Sequence, residues 1–276
     1  MTLKTNIICG NVDTFNFGLD MDSVDLVVTK PPNFQNSAMN YEEYSKSVFK
    51  AFVSCYNVLK DGHYIAIIVP PMLDAMGMRE NVGAWLSIEA EGAGFHFVDH
   101  ITVISGGVAR PRSAEFKKSK GQPRTYKANV VSTDVYLYCK GSASRKRYDK
   151  EWTKFIYKNR VSKGINTLDN YIDIGASEHR AGVEYYHDWL LTNVWRFGGS
   201  LTRLLIQLFS YEGEVVFDPF ATEGDTMKQA QLLNRNASGL VPGQSGLKLL
   251  QRTLGYGMPS LLPEDEPREF ETTELE

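Results

Sequence analysis

The densest chemistry in this sequence is cationic. Between Arg110 and Lys163 stand sixteen Lys or Arg residues against four acids, Glu115, Asp134, Asp149 and Glu151. That stretch carries +12 in a chain whose net charge is −3. Arg110, Arg112, Lys117, Lys118, Lys120, Arg124, Arg145, Lys146 and Arg147 are its candidate contacts, and Tyr126, Tyr148, Trp152, Phe155 and Tyr157 are interleaved with them. Cations neutralise a phosphate backbone and release its counterions, while aromatic rings stack on unpaired bases, so the composition suits a nucleic-acid groove. A solvated basic face is the alternative, and the pattern does not separate DNA from RNA.

Composition bounds the rest. The chain has 276 residues, 42% hydrophobic and 23% charged, which excludes wholesale disorder, a collagen-like repeat and a small disulfide scaffold. No apolar run reaches the ~20 residues that cross a bilayer. The opening Met1-Thr-Leu-Lys-Thr5 runs into a strand without a signal-peptide core, so a cytoplasmic, nucleoid-associated or nuclear protein is expected, not a secreted one. Cys9, Cys55 and Cys139 are scattered and read as reduced core thiols; no metal site is visible.

The elements that must position any site alternate. Apolar strands are expected at Asn6–Cys9, Asp25–Thr29, His63–Val69, Phe95–Ser105, Val130–Tyr138, Glu214–Asp218 and Ala237–Val241. The second of these is stopped by Pro31 and Pro32, which lack backbone donors. Helical spacing of Tyr41, Tyr44, Val48, Phe52, Cys55, Tyr56 and Leu59 predicts a helix ending at Lys60-Asp-Gly62, with Gly62 as its cap. Further helices are expected at Asn81–Ala90, Ser200–Ser210 and Asp225–Leu233. Residues 142–180 show no period, and there is no internal repeat. Alternating strands and helices imply an α/β fold with a parallel, helix-covered sheet.

Two segments then carry a resemblance. Val24-Asp-Leu-Val-Val-Thr-Lys-Pro-Pro-Asn33 resembles the strand and Pro-Pro motif, (Asp/Asn/Ser)-Pro-Pro-(Tyr/Phe), of methyltransferases that act on DNA base amines. Val215-Val-Phe-Asp-Pro-Phe220, followed by Gly224 and Thr226, is similar to their cofactor strand and loop, Asp-Pro-Phe-x-Gly-Ser-Gly-Thr-Thr. Asn57–Ile65 matches the passage that follows the Pro-Pro motif; Asp134–Lys140 and Asn193–Trp195 are weaker echoes. Pro-Pro motif, basic region, then cofactor loop is the order of the β class. The resemblance implies a Rossmann-like methyltransferase fold with a mostly parallel seven-stranded sheet. It divides the chain into a permuted core at 1–105 and 190–262 and a basic target-recognition-like insertion at 106–189; the acid-rich composition of 263–276 adds the expectation of a disordered tail. It also implies S-adenosylmethionine as methyl donor, with no metal, and a flipped adenine (N6) or cytosine (N4) in double-stranded DNA as acceptor. Lys30, Pro31, Pro32 and Asn33 fall on the catalytic motif, and Asp218, Phe220, Gly224 and Thr226 on the cofactor loop.

Several positions depart from that pattern. Lys30 stands where an acceptor should take a hydrogen bond from the target amine, and an ammonium has three donors and no acceptor. Asn33 replaces the stacking aromatic, although Phe34 follows it. Thr222 replaces the first loop glycine, and Glu223 adds bulk and charge. No Asp or Glu lies between Asp225 and Glu264; Val241 and Pro242 stand near the place of the acid that would bind the ribose. These losses touch chemistry and spare the strands and helices. The expectation is a catalytically degenerate DNA-binding protein, acting as a DNA-occupying homodimer or as the non-catalytic half of a heterodimer. The alternative is an active N6-adenine or N4-cytosine methyltransferase, with the Lys30 side chain turned outward and its backbone carbonyl serving as acceptor. Asp218 has the second reading of a loop anchor, and Trp195 and Phe220 that of core residues.

Overall fold

Strand β2 (Val24–Thr29) runs through the middle of the molecule, and all six of its residues are buried. The structure is a computed structural model that describes residues 3–10, 12, 15–32, 41–69, 81–104, 132–142, 193–196, 200–254 and 269–274. Helix α1 (Tyr41–Val58) follows, placing Tyr44, Val48, Ala51, Phe52 and Cys55 along one buried stripe, with Glu42 and Glu43 in the first turn, where the helix dipole favours acids. Next come β3 (Leu59–Val69), α2 (Val82–Gly92), β4 (His96–Ile104), β5 (Ser132–Cys139) and β6 (Val194–Arg196). The chain closes with α3 (Leu201–Phe209), β7 (Val215–Asp218), α4 (Asp225–Leu232), β8 (Asn236–Val241), α5 (Gly243–Thr253) and β9 (Glu269–Glu274); β1 (Lys4–Cys9) precedes them all.

The strands form one sheet in the order β6-β4-β5-β3-β2-β7-β8-β1-β9. Strand β5 is antiparallel to β3 and β4, and the other pairings are parallel. Helices α1 and α2 cover one face through Tyr44, Phe52, Leu86 and Ala90. Helices α3, α4 and α5 cover the other through Leu205, Phe209, Met227, Ala230 and Leu250. This is the helix-covered, mostly parallel α/β sheet that strand–helix alternation demands. From β2 the chain passes by α1 to β3 on one side; from β7 it passes by α4 to β8 on the other. The crevice at the carboxyl ends of β2 and β7 is therefore a topological switch point, where open α/β sheets place ligands.

Five features differ from the sequence expectations. The sheet has nine strands among the described residues, not seven, because β6 and β9 extend its two edges. The tail at 263–276, expected to be disordered, supplies β9, which pairs in parallel with β1 from Lys4↔Glu269 to Cys9↔Glu274. Its acid-rich composition hides the strand-forming residue types Phe270, Thr272 and Thr273 from a compositional reading. Gly62 does not cap α1: the helix ends at Val58, and Gly62 sits inside β3 at φ 73°, where the register against β2 shifts. A positive φ suits glycine in an irregular strand as well as in a cap. Helix α5 was not expected at all. The core strand β5 lies within the span 106–189, so that span is not a single insertion clear of the sheet.

Candidate functional site

Asp218 ends β7 and lies beneath the crevice, 6% exposed. Its Oδ1 accepts hydrogen bonds from the Thr29 hydroxyl at 2.9 Å and the Phe220 N–H at 3.0 Å. Its Oδ2 accepts one from the Thr226 hydroxyl at 2.8 Å. One carboxylate thus ties the last residue of β2, the loop after β7 and the first turn of α4. Burial pushes the Asp218 carboxyl up to about 6, although the bonds from Phe220, Thr226 and Thr29 oppose that shift. Of its two sequence readings, the loop anchor is what the contacts describe.

The loop itself is tied internally. The N–H of Ala221 donates to Leu240 O at 3.0 Å, that of Thr222 to Phe220 O at 2.8 Å, and that of Gly224 to Ala221 O at 3.1 Å. Gly224 is left-handed at φ 70°, and a Cβ there would meet Leu250 Cδ1 at 2.5 Å. Its glycine is therefore required by backbone conformation and by the approach of α5, whatever else it does. Phe220 is partly buried against the α1 side of the core. Val241, at the end of β8, is fully buried and offers a side chain with no polar atom.

On the Pro-Pro side, the Tyr44 hydroxyl donates to Pro32 O and its ring lies 5.3 Å from that of Trp85. Burial pushes the Tyr44 hydroxyl up to about 12, so it stays a donor at any physiological pH. Thr29 and Pro32 are both held, and Lys30 lies between them. The Lys30 Nζ reaches across the crevice to Glu223 Oε2 at 3.6 Å, with the two side chains 49% and 77% exposed. The two charged departures from the family pattern thus face each other. Neither motif alone signals this pairing.

The structure therefore brings Lys30, Pro31, Pro32, Asp218, Phe220, Gly224 and Thr226 to one edge of the sheet. Asn33 and Phe34 lie outside the described residues. So do Arg110, Arg112, Lys117, Lys118, Lys120, Arg124, Arg145, Lys146 and Arg147. Lys140, one of the sixteen cations of the basic stretch, is a core residue: its Nζ donates to Asp22 at 2.6 Å and Leu59 O at 2.8 Å beneath the Tyr56 ring. Trp195 is 3% exposed, in keeping with its core reading. The three cysteines are buried and form no disulfide.

Asp25, His63 and Glu214, at the opposite ends of β2 and β7, place ligand atoms within 4.8 Å of one another, a grouping their sequence spacing conceals. The Lys60 ammonium already occupies this cluster, 2.8 Å from Asp25 Oδ1, and the Val215 N–H binds Oδ2 at 2.9 Å. With His63 also bonded to it, the Asp25 carboxyl is held down at about 2 against the opposing effect of burial. This arrangement joins the amino ends of three strands.

The family model described as DNA methylase, of the N6/N4 type, matches residues 24–241. Among solved structures, TTHA0409 from Thermus thermophilus is similar at a TM-score of 0.64 and 18% identity, covering 99% of this chain and 100% of that one. The same protein in complex with S-adenosyl-L-methionine gives 0.63 at 17%, covering 99% and 98%. The cytosine-N4-specific PvuII DNA methyltransferase gives 0.64 at 12%, covering 96% and 90%. At these identities the likeness is one of fold. No curated protein matches the chain.

Proposed function

The chain belongs to the N6/N4 DNA methylase family, and from that premise we propose that it is a DNA-binding member whose reaction centre has degenerated. It occupies DNA as a homodimer, or serves as the non-catalytic subunit beside an active methyltransferase. One observation carries the reading: a cation, Lys30, stands at the acceptor position and is paired with Glu223 across the crevice. An ammonium cannot accept from a base amine, and it repels the positive charge that develops on the attacking nitrogen. Apart from the buried Lys140, the fifteen other cations between Arg110 and Lys163 would supply attraction for double-stranded DNA. A core at 1–105 and 190–262, with the intervening basic span as the DNA-reading part, remains the division we favour, with β5 assigned to the core.

The family's methyl donor is S-adenosylmethionine, and the described residues fit it poorly. Val241 is apolar where a carboxylate would take the ribose hydroxyls. The amides of Phe220, Ala221, Thr222 and Gly224 already donate within the chain. A lost charge-assisted hydrogen bond costs about 1.5–3 kcal/mol, so two such losses weaken binding by a hundredfold or more. Location in the cytoplasm, on the nucleoid, or in a nucleus follows from the DNA reading; among the described residues no helix is long and apolar enough to cross a membrane.

A second reading, an active N6-adenine or N4-cytosine methyltransferase, draws support from the same ion pair. The Lys30 ammonium is drawn to Glu223, and the Asp218 ties are intact. Titration calorimetry with S-adenosylmethionine and transfer of a labelled methyl group to duplex DNA separate the two. We expect no heat at ~100 μM donor and no labelled DNA, with duplex binding that weakens as salt rises. Micromolar donor affinity together with labelled DNA overturns the degenerate reading in favour of the active one.

A further inference from the structure

We propose that Lys30 is a contact for a DNA backbone phosphate, held in the free protein by Glu223 and released when the duplex binds. The proposal rests on the DNA-binding reading above and adds to it a specific residue and a switch. The base of Lys30 is rigid. Thr29 is fixed by the buried Asp218, and the Pro32 carbonyl by Tyr44, with Pro31 and Pro32 restricting the backbone between. Only the four-carbon stem and its ammonium are free to move.

The partner of that ammonium holds it weakly. The separation from Glu223 is 3.6 Å, and both side chains are substantially exposed. Such surface pairs contribute little, because water screens them and two long side chains must be ordered. A duplex presents a dense row of phosphates and gains counterion entropy for each one neutralised. Exchange of one carboxylate for a phosphate therefore favours the complex.

Strand topology places the duplex at this edge. In β3 and β5, Val69 pairs with Asp134, and in β4 and β5, Ile104 pairs with Ser132. Thr29 pairs with Ile67 of β3, so Lys30 leaves the sheet at the same edge. The stretch that begins after Ile104 and returns at Ser132 is thus tethered at the edge where Lys30 emerges. It includes Arg110, Arg112, Lys117, Lys118, Lys120, Arg124 and Lys127, against Glu115 alone. Glu223 is an acid on the crevice at the edge where the chain leaves β4 and re-enters β5, and its removal from Lys30 is what the duplex must achieve.

The test is fluorescence anisotropy with a labelled duplex across ~50–300 mM salt, on the full chain and on Lys30→Gln, Glu223→Gln and the double variant. Both side chains are exposed, so a thermal melt should show all four folded. Glu223→Gln is expected to tighten binding by up to about fivefold, the most that an exposed pair restrains. Lys30→Gln should reduce the slope of log affinity against log salt by about 0.9, one phosphate contact. In the Lys30→Gln background, Glu223→Gln should change little. Equal tightening in both backgrounds would mean that Glu223 acts only by general repulsion, and an unchanged slope in Lys30→Gln would remove the contact; either result overturns the proposal. If the unaltered chain fails to bind duplex at ~50 mM salt, the DNA reading falls and this role falls with it.

Discussion

Replacing Asp218 with Asn probes the tie beneath the crevice directly. In the folded chain burial raises the Asp218 carboxyl to about 6, from 3.8 for an exposed group. Between those values the folded chain holds a proton that the unfolded chain has lost, so stability from this group is fully present below about pH 4 and is lost as pH rises through 6. The interval corresponds to about 3 kcal/mol, at ~1.4 kcal/mol per pH unit. Asn has no charge to desolvate, and its amide oxygen can still accept from Thr29 and Phe220. Its NH2 would face Thr226, whose hydroxyl can turn its proton toward Val28 O, 3.4 Å away. Urea unfolding of both proteins at pH 4.5, 5.5, 6.5 and 7.5 reads the difference, and other titrating groups cancel in the comparison. The stability of the parent relative to Asp218→Asn should fall by about 2 kcal/mol across that range. A difference that stays level within about 0.5 kcal/mol would refute the account of Asp218 as a buried, desolvated carboxyl.

Two further outcomes follow from the same geometry. Asp25→Asn should remove the acid-side dependence of stability: Asp25, held at about 2, contributes stability above pH 4 that is lost as pH falls toward 2, so the variant's acid unfolding should be shallower, as read by circular dichroism between pH 2 and 5. Gly224→Ala combines a left-handed φ with a Cβ 2.5 Å from Leu250 and should cost about 2–4 kcal/mol in urea unfolding; a loss under 1 kcal/mol would show that α5 yields easily.

Much of the architecture was legible because it is local. Apolar runs bounded by prolines or glycines located β2, β3 and β7 to within a few residues, and the three- and four-residue spacing of Tyr44, Val48, Phe52 and Cys55 located α1. The capping residues Asn81 and Ser200 mark the starts of α2 and α3, where their side chains accept from Ala84 and Arg203. The order of the two motifs pointed to the family that the match over residues 24–241 shows. Short-range pattern misled in proportion to its ambiguity. Gly62 has the signature of a cap and the φ of one, yet a strand surrounds it. The acids around Phe270 and Thr272 imitate a solvated tail, yet β1 offered an open edge to pair with.

Residue types and their intervals were enough to establish a helix-covered α/β sheet, a strongly cationic middle, and a Pro-Pro pair preceded by a lysine. The tertiary structure alone decided which of those charges meet. Thr29 and Asp218 are 189 positions apart and share a hydrogen bond because β2 and β7 are neighbours in the sheet. By the same neighbourhood Lys30 finds Glu223, and Lys140 withdraws from the basic stretch to a core site beside Asp22. Periodicity records the environment of a residue within one element, whereas the pairing of charges is set by strand order, which arises only when the whole sheet assembles.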